Sequence, residues 1–126
     1  MESPPRTVAI VEDDPSMRRS IERLLGAHGY KTEGYVSAES FLTRGSVSDL
    51  ICIVLDIHLG GMSGIELGRA LKETVPRPIV IFITAVDDQA LEVEALEAGC
   101  AAYMHKPFPA ASLIGAIERA LPDKFP

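Results

Sequence analysis

Asp49-Leu50-Ile51-Cys52-Ile53-Val54-Leu55-Asp56 is an apolar run bounded by acids. Asp49–Leu55 reads as a strand, because residues that favour β structure crowd together there. Pro78–Ile83 carries an equally strong β signal, with Ile, Val and Phe side by side. Thr7–Val11 is a shorter apolar run ending in acids, which predicts a strand buried on both faces. Lys31–Tyr35 is more polar and predicts a strand nearer a sheet edge, and Ala101–Met104 predicts the last strand. Between these runs the period changes. Met17, Ile21, Leu24, Leu25 and His28 recur at helical spacing, and Gly29 closes that helix. Ser37 can cap a short helix carrying Phe41 and Leu42. Gly64 to Glu73 predicts a helix with Ile65, Leu67 and Leu71 as apolar contacts. Asp87 or Asp88 can cap a helix from Gln89 to Glu97, ended by Gly99. Pro109–Leu121 is the last helix, with Leu113, Ile114, Ile117 and Leu121 on one face.

Five βα units in succession, with short connections, predict a doubly wound parallel sheet with helices on both faces. The expected strand order is 2-1-3-4-5, so the chain reverses direction between the first and third strands. Open sheets of this kind bind ligands in the crevice at the carboxyl ends of those strands. Asp13 and Asp56 flank it. The 126 residues suit a single domain over 1–126, with a core at about 7–121.

Composition narrows the function. Hydrophobic residues are 47% and charged residues 24%, an ordinary globular balance. A net charge of -6 argues against direct nucleic-acid binding, which calls for a basic face. No apolar run approaches the roughly 20 residues of a membrane helix, and Met-Glu-Ser-Pro-Pro-Arg lacks the apolar stretch of a signal peptide. The expectation is a cytoplasmic protein with no membrane partner. Cys52 and Cys100 read as small buried hydrophobes rather than a disulfide or metal pair.

Glu12, Asp13, Asp56, Thr84 and Lys106 each fall where a predicted strand runs out. Acids brought so close raise one another's pKa values or demand a cation. Oxygen-only ligands suit Mg²⁺, with Mn²⁺ also possible. Acids after a strand can also simply start loops and cap helices, and Asp14-Pro15 fits that plainer role at a helix start. Asp56 leaves an apolar wall and can act as a nucleophile towards phosphorus. Lys106 can grip a phosphoryl oxygen, or Asp56 itself when none is present. Thr84 can donate to phosphate, though a strand-end threonine alone is commonly just β propensity. His28, His58 and His105 lack a nucleophile partner for a triad. Glu12-Asp13-Asp14-Pro15 stands where a glycine-rich phosphate loop would follow the first strand.

At this point the residues resemble the receiver domain of bacterial two-component response regulators. The resemblance rests on Val11-Glu12-Asp13-Asp14, Leu55-Asp56-Ile57-His58-Leu59 with Gly61-Met62-Ser63-Gly64, Thr84-Ala85, and Tyr103-Met104-His105-Lys106-Pro107-Phe108. It runs from about Thr7 to Leu121. It implies a flavodoxin-like (αβ)5 three-layer sandwich. It also implies a phosphorelay switch rather than an enzyme with an external substrate. Asp56 resembles the phosphoacceptor, served by a sensor histidine kinase or phosphotransfer protein. Asp13 and Asp56 resemble direct Mg²⁺ ligands, joined by the His58 backbone carbonyl, with Glu12 acting through water. Thr84 and Lys106 resemble the phosphate-sensing pair, Tyr103 the aromatic switch, and Lys106-Pro107 a cis peptide. The fourth helix, fifth strand and fifth helix would form the surface that governs a downstream target, an output domain or a homodimer.

Gly60 departs from the family's usual proline, which predicts a looser Gly60-Gly61 loop. His58 and Val86 occupy positions where side chains tune dephosphorylation in the family. One rival is a haloacid-dehalogenase-like small phosphatase. It would need an acid where His58 stands, and its nucleophile would end the first strand. Another is a receiver-like binding module that is never phosphorylated, whose usual mark is loss of the acidic pair, Asp or Lys.

Overall fold

The computed structural model describes residues 7–121. The first six residues, read above as lacking a leader's apolar stretch, lie outside the described residues, as do 122–126. Strands and helices alternate in the order β1 (Thr7–Val11), α1 (Pro15–Ala27), β2 (Lys31–Tyr35), α2 (Ala38–Leu42), β3 (Leu50–Asp56), α3 (Gly64–Leu71), β4 (Ile79–Thr84), α4 (Gln89–Glu97), β5 (Ala102–His105) and α5 (Ala110–Ala120). All neighbouring strands pair in parallel. The sheet order is β2-β1-β3-β4-β5, so the carboxyl ends of β1 and β3 lie side by side at the switch point.

Side-chain alternation along each strand divides the core in two. Val8, Ile10, Val54, Ile81 and Ile83 face Ile21 and Leu25 of α1 and Leu113 and Ile117 of α5. Ala9, Val11, Ile53, Leu55 and Phe82 face Phe41 of α2, Leu67 and Leu71 of α3, and Ala95 of α4. The central strands are therefore buried on both faces and apolar except at their ends, whereas β2, at the edge, keeps exposed Lys31 and Gly34.

Local chemistry sets the helix ends. The Asp14 side chain accepts from Ser16 and Met17 N–H ahead of Pro15, Ser37 caps α2, and Asp88, rather than Asp87, caps α4. Gly29 follows α1 with φ 88°, a conformation that costs glycine little. Ser63 and Glu66 close a reciprocal capping box on α3.

β3, β4 and β5 each extend one residue past their apolar runs, to Asp56, Thr84 and His105. The backbone ladder is indifferent to side-chain polarity: Asp56 pairs with Ile83, and Ile57 N–H donates to the Ile83 carbonyl at 3.0 Å. The helix expected to reach Glu73 ends at Leu71. Cys52 is buried, but Cys100 is only half-buried, because it lies in the turn between α4 and β5; both thiols are free.

Helix α3 sits close to the sheet at Gly68, where an added Cβ would lie 2.5 Å from Cζ of the fully buried Phe82. Overpacking of this kind costs about 1–3 kcal/mol, set against a helix-propensity gain of at most about 1 kcal/mol. Gly68→Ala is expected to lower stability by a net ~1–2 kcal/mol in denaturant titration. An unchanged midpoint would show that the ring yields.

Candidate functional site

The end of β1 delivers two acids into different surroundings. Glu12 is fully buried, held by its N–H on the Tyr35 carbonyl at 3.0 Å, and its own carbonyl accepts from Arg18 Nη1 at 2.8 Å. Asp13 is exposed. At the end of β3 the Asp56 side chain is almost wholly buried. Its Oδ1 accepts from His58 N–H at 3.1 Å, and its Oδ2 from Lys106 Nζ at 3.2 Å. Lys106 Nζ also donates to Glu12 Oε1 at 2.7 Å. Lys106 can reach both acids because its backbone is pinned just beyond β5, its N–H donating to the Thr84 carbonyl at 2.7 Å. The Lys106–Pro107 peptide is cis, as the resemblance implied.

Burial pushes the Glu12 carboxyl up and the Asp56 charge adds to this; Lys106 and the Asp14 N–H oppose it without cancelling it. For Lys106, burial alone would favour loss of the proton, but Glu12 and Asp56 outweigh it and hold the ammonium charged. One carboxylate oxygen each from Glu12, Asp13 and Asp56 lies within 4.8 Å of the others. Three carboxylates against one ammonium leave the cluster negative, so a hard divalent cation with oxygen ligands fits the donor set.

Two loops border this cluster. After β3, Leu59 is buried, Gly64 N–H donates to the Ile57 carbonyl at 2.9 Å, and Met62 N–H donates to Glu39 Oε2 at 2.8 Å. That last bond holds the Glu39 carboxyl below its ordinary pKa. The residue after the Gly60-Gly61 stretch is thus tied to α2. Gly64 is confined by close approach, since a Cβ there would run into the Asp56 carbonyl. After β4, Thr84 is fully buried and its Oγ1 accepts from Val86 N–H at 3.0 Å. His105 Nε2 lies 2.8 Å from the Val86 carbonyl. Tyr103 is half-buried on β5, its ring centroid 6.1 Å from that of His105, and its buried Oη has no partner among the described residues.

The structure therefore brings Glu12, Asp13, Asp56 and Lys106 into one cluster, with the His58 amide on Asp56. Thr84 stands at the same edge of the sheet, next in sequence to Asp56's register partner Ile83. Sequence reasoning missed Glu39 and His105 as loop ties. Their partners lie 23 and 19 residues away, on other elements. No local pattern announces such contacts.

Comparison with known proteins follows the same lines. The family described as "Response regulator receiver domain" matches residues 8–118. The transcriptional regulatory protein FixJ of Azorhizobium caulinodans is 36% identical over 114 residues, covering 90% of this chain and 54% of FixJ. The response regulator protein TodT of Pseudomonas putida is 33% identical over 114 residues, covering 90% of this chain and 50% of TodT. The chain spans about half the length of the curated relatives it matches. The crystal structure of FixJ-N superposes with a TM-score of 0.82 at 36% identity, covering 95% of this chain and 94% of that one. With the family pattern extending across nearly all the described residues, this chain belongs to the response regulator receiver domain family.

Proposed function

We propose that the chain is a phosphorylation-activated switch that accepts a phosphoryl group on Asp56 from a histidine kinase or phosphotransfer protein. The observation that carries this reading is the bridge from Lys106 Nζ to both Glu12 and Asp56 inside a buried acidic cluster. An Asp56 carboxylate oxygen attacks the donor's phosphorus, forming an acyl-phosphate O–P bond as the P–N bond to the donor imidazole breaks. Glu12, Asp13, Asp56 and the His58 carbonyl would hold Mg²⁺. When bound, that ion supplies positive charge opposite the oxygens of the transferring group. Lys106 moves its ammonium contact from the Asp56 carboxylate to a phosphoryl oxygen. The Thr84 hydroxyl accepts from Val86 through a lone pair, which leaves its own proton for that phosphate.

The output surface in this reading is α4-β5-α5, open to an output domain, a separate target or a second copy of the chain. Val93 and Leu96 on α4 are exposed apolar side chains, as is Val86 in the preceding loop. Tyr103 supports a switch role through its buried, unpartnered hydroxyl: its present position carries a desolvation cost that another ring position would relieve. Among the described residues no helix is long and apolar enough to cross a membrane. The proposed setting is the cytoplasm.

Three measurements bear on this. Incubation with acetyl phosphate and Mg²⁺ is expected to add one phosphoryl group by intact mass, absent in Asp56→Asn. An unmodified wild-type mass would overturn the proposal, and turnover of a small phosphomonoester would point to a phosphatase instead. Lys106→Met strands two buried acids, although protonation of Glu12 softens the loss. Stability without divalent cations is expected to fall by about 1–3 kcal/mol, below the 3–5 kcal/mol of a fully buried pair because Lys106 is partly exposed. Tyr103→Phe removes a buried hydroxyl with no partner among the described residues and is expected to raise stability by up to ~1 kcal/mol in denaturant titration. A drop would mean that the hydroxyl is bonded.

A further inference from the structure

The register of β4 against β5 places Thr84 opposite His105. The chain beyond Thr84 folds back over that pair, and two bonds hold it. Val86 donates its N–H to Thr84 Oγ1 at 3.0 Å and receives at its carbonyl from His105 Nε2 at 2.8 Å. A carbonyl only accepts, so the ring nitrogen facing it carries the hydrogen. The same ring stands edge-on to Tyr103, with an interplanar angle of 69°, and its Nε2 lies 3.9 Å from Asp87 Oδ1. His105 thus touches the loop after Thr84 and the aromatic ring on β5, and it directly precedes Lys106.

We infer that His105 is a positioning residue that latches the β4–α4 loop onto β5 and thereby restrains Thr84. The inference rests on the proposed phosphoacceptor role of Asp56. When Thr84 turns toward a phosphoryl group on Asp56, Val86 N–H must follow or lose its acceptor. His105 holds the other side of that same peptide unit through the Val86 carbonyl and resists the movement. A receiver with the latch removed has a freer loop and accepts its phosphoryl group sooner. The latch lies outside the metal cluster and touches none of its carboxylates, so the acids and Lys106 keep their geometry when it is cut.

The test compares wild type, His105→Val, which has no donor, and His105→Gln, which keeps an N–H of similar reach. In His105→Val, deuterium uptake by the backbone of residues 85–88 is expected to rise about fivefold, the factor one ordinary hydrogen bond supplies. Uptake in β3 stays as in wild type. The rate of phosphorylation by acetyl phosphate with Mg²⁺, read by intact mass, is expected to rise several-fold in the same variant. His105→Gln should lie near wild type in both readouts. Unchanged uptake in His105→Val overturns the latch. Raised uptake with an unchanged phosphorylation rate overturns the restraint on Thr84. A wild-type chain that takes no phosphoryl group fails differently: it overturns the role of Asp56, while the uptake difference would still report the latch.

Discussion

Two carboxylates and one ammonium, brought almost out of water at the top of the sheet, set the terms for this molecule. Glu12 and Asp56 cannot both stay ionised side by side out of water without positive charge, and Lys106 provides it from the end of another strand. The arrangement is tolerable because the ammonium touches both acids and the remaining oxygens accept from Asp14 and His58 backbone N–H groups. It is also incomplete, because Asp13 adds a further negative charge at the rim. A cluster short of positive charge is one that a divalent cation with oxygen ligands fits.

The sheet order makes that cluster possible. β1 and β3 are neighbours only because the chain crosses back after β2, and β4 and β5 then follow outward in sequence. Each active edge therefore has its own loop. The loop after β3 is held by Glu39 and by the buried Leu59, so Asp56 keeps its place. Among the described residues, the loop after β4 is tied back at Val86 by Thr84 and His105, with Asp87 also 3.9 Å from the His105 ring.

The fold was legible from the residues to a large degree. Apolar runs at Thr7–Val11 and Pro78–Ile83, the caps Asp14 and Ser37, and the stop at Gly29 are local signals. Local hydrogen bonding and burial honour them directly. Strand ends were less legible, since Asp56 and Thr84 look like loop residues but stay in the ladder. The acids and Lys106 could be singled out because each follows a strand, and parallel strands of one sheet end along a common edge. Cys100 was misjudged because its small apolar neighbours suggest a core, whereas the turn leading into β5 leaves it half-covered.

By itself, then, the sequence determined the succession of strands and helices, the two-sided core and the identity of the groups able to meet at one edge. Periodicity and capping act over a few residues and are written in order along the chain. Tertiary structure alone decided which contacts those groups make: Lys106 on Glu12 as well as Asp56, Glu39 on Met62, His105 on Val86, and a Tyr103 hydroxyl left without a partner among the described residues. Such contacts are settled by strand register and loop packing between distant segments. Ångström-scale placement, rather than residue type, chooses among the available donors and acceptors.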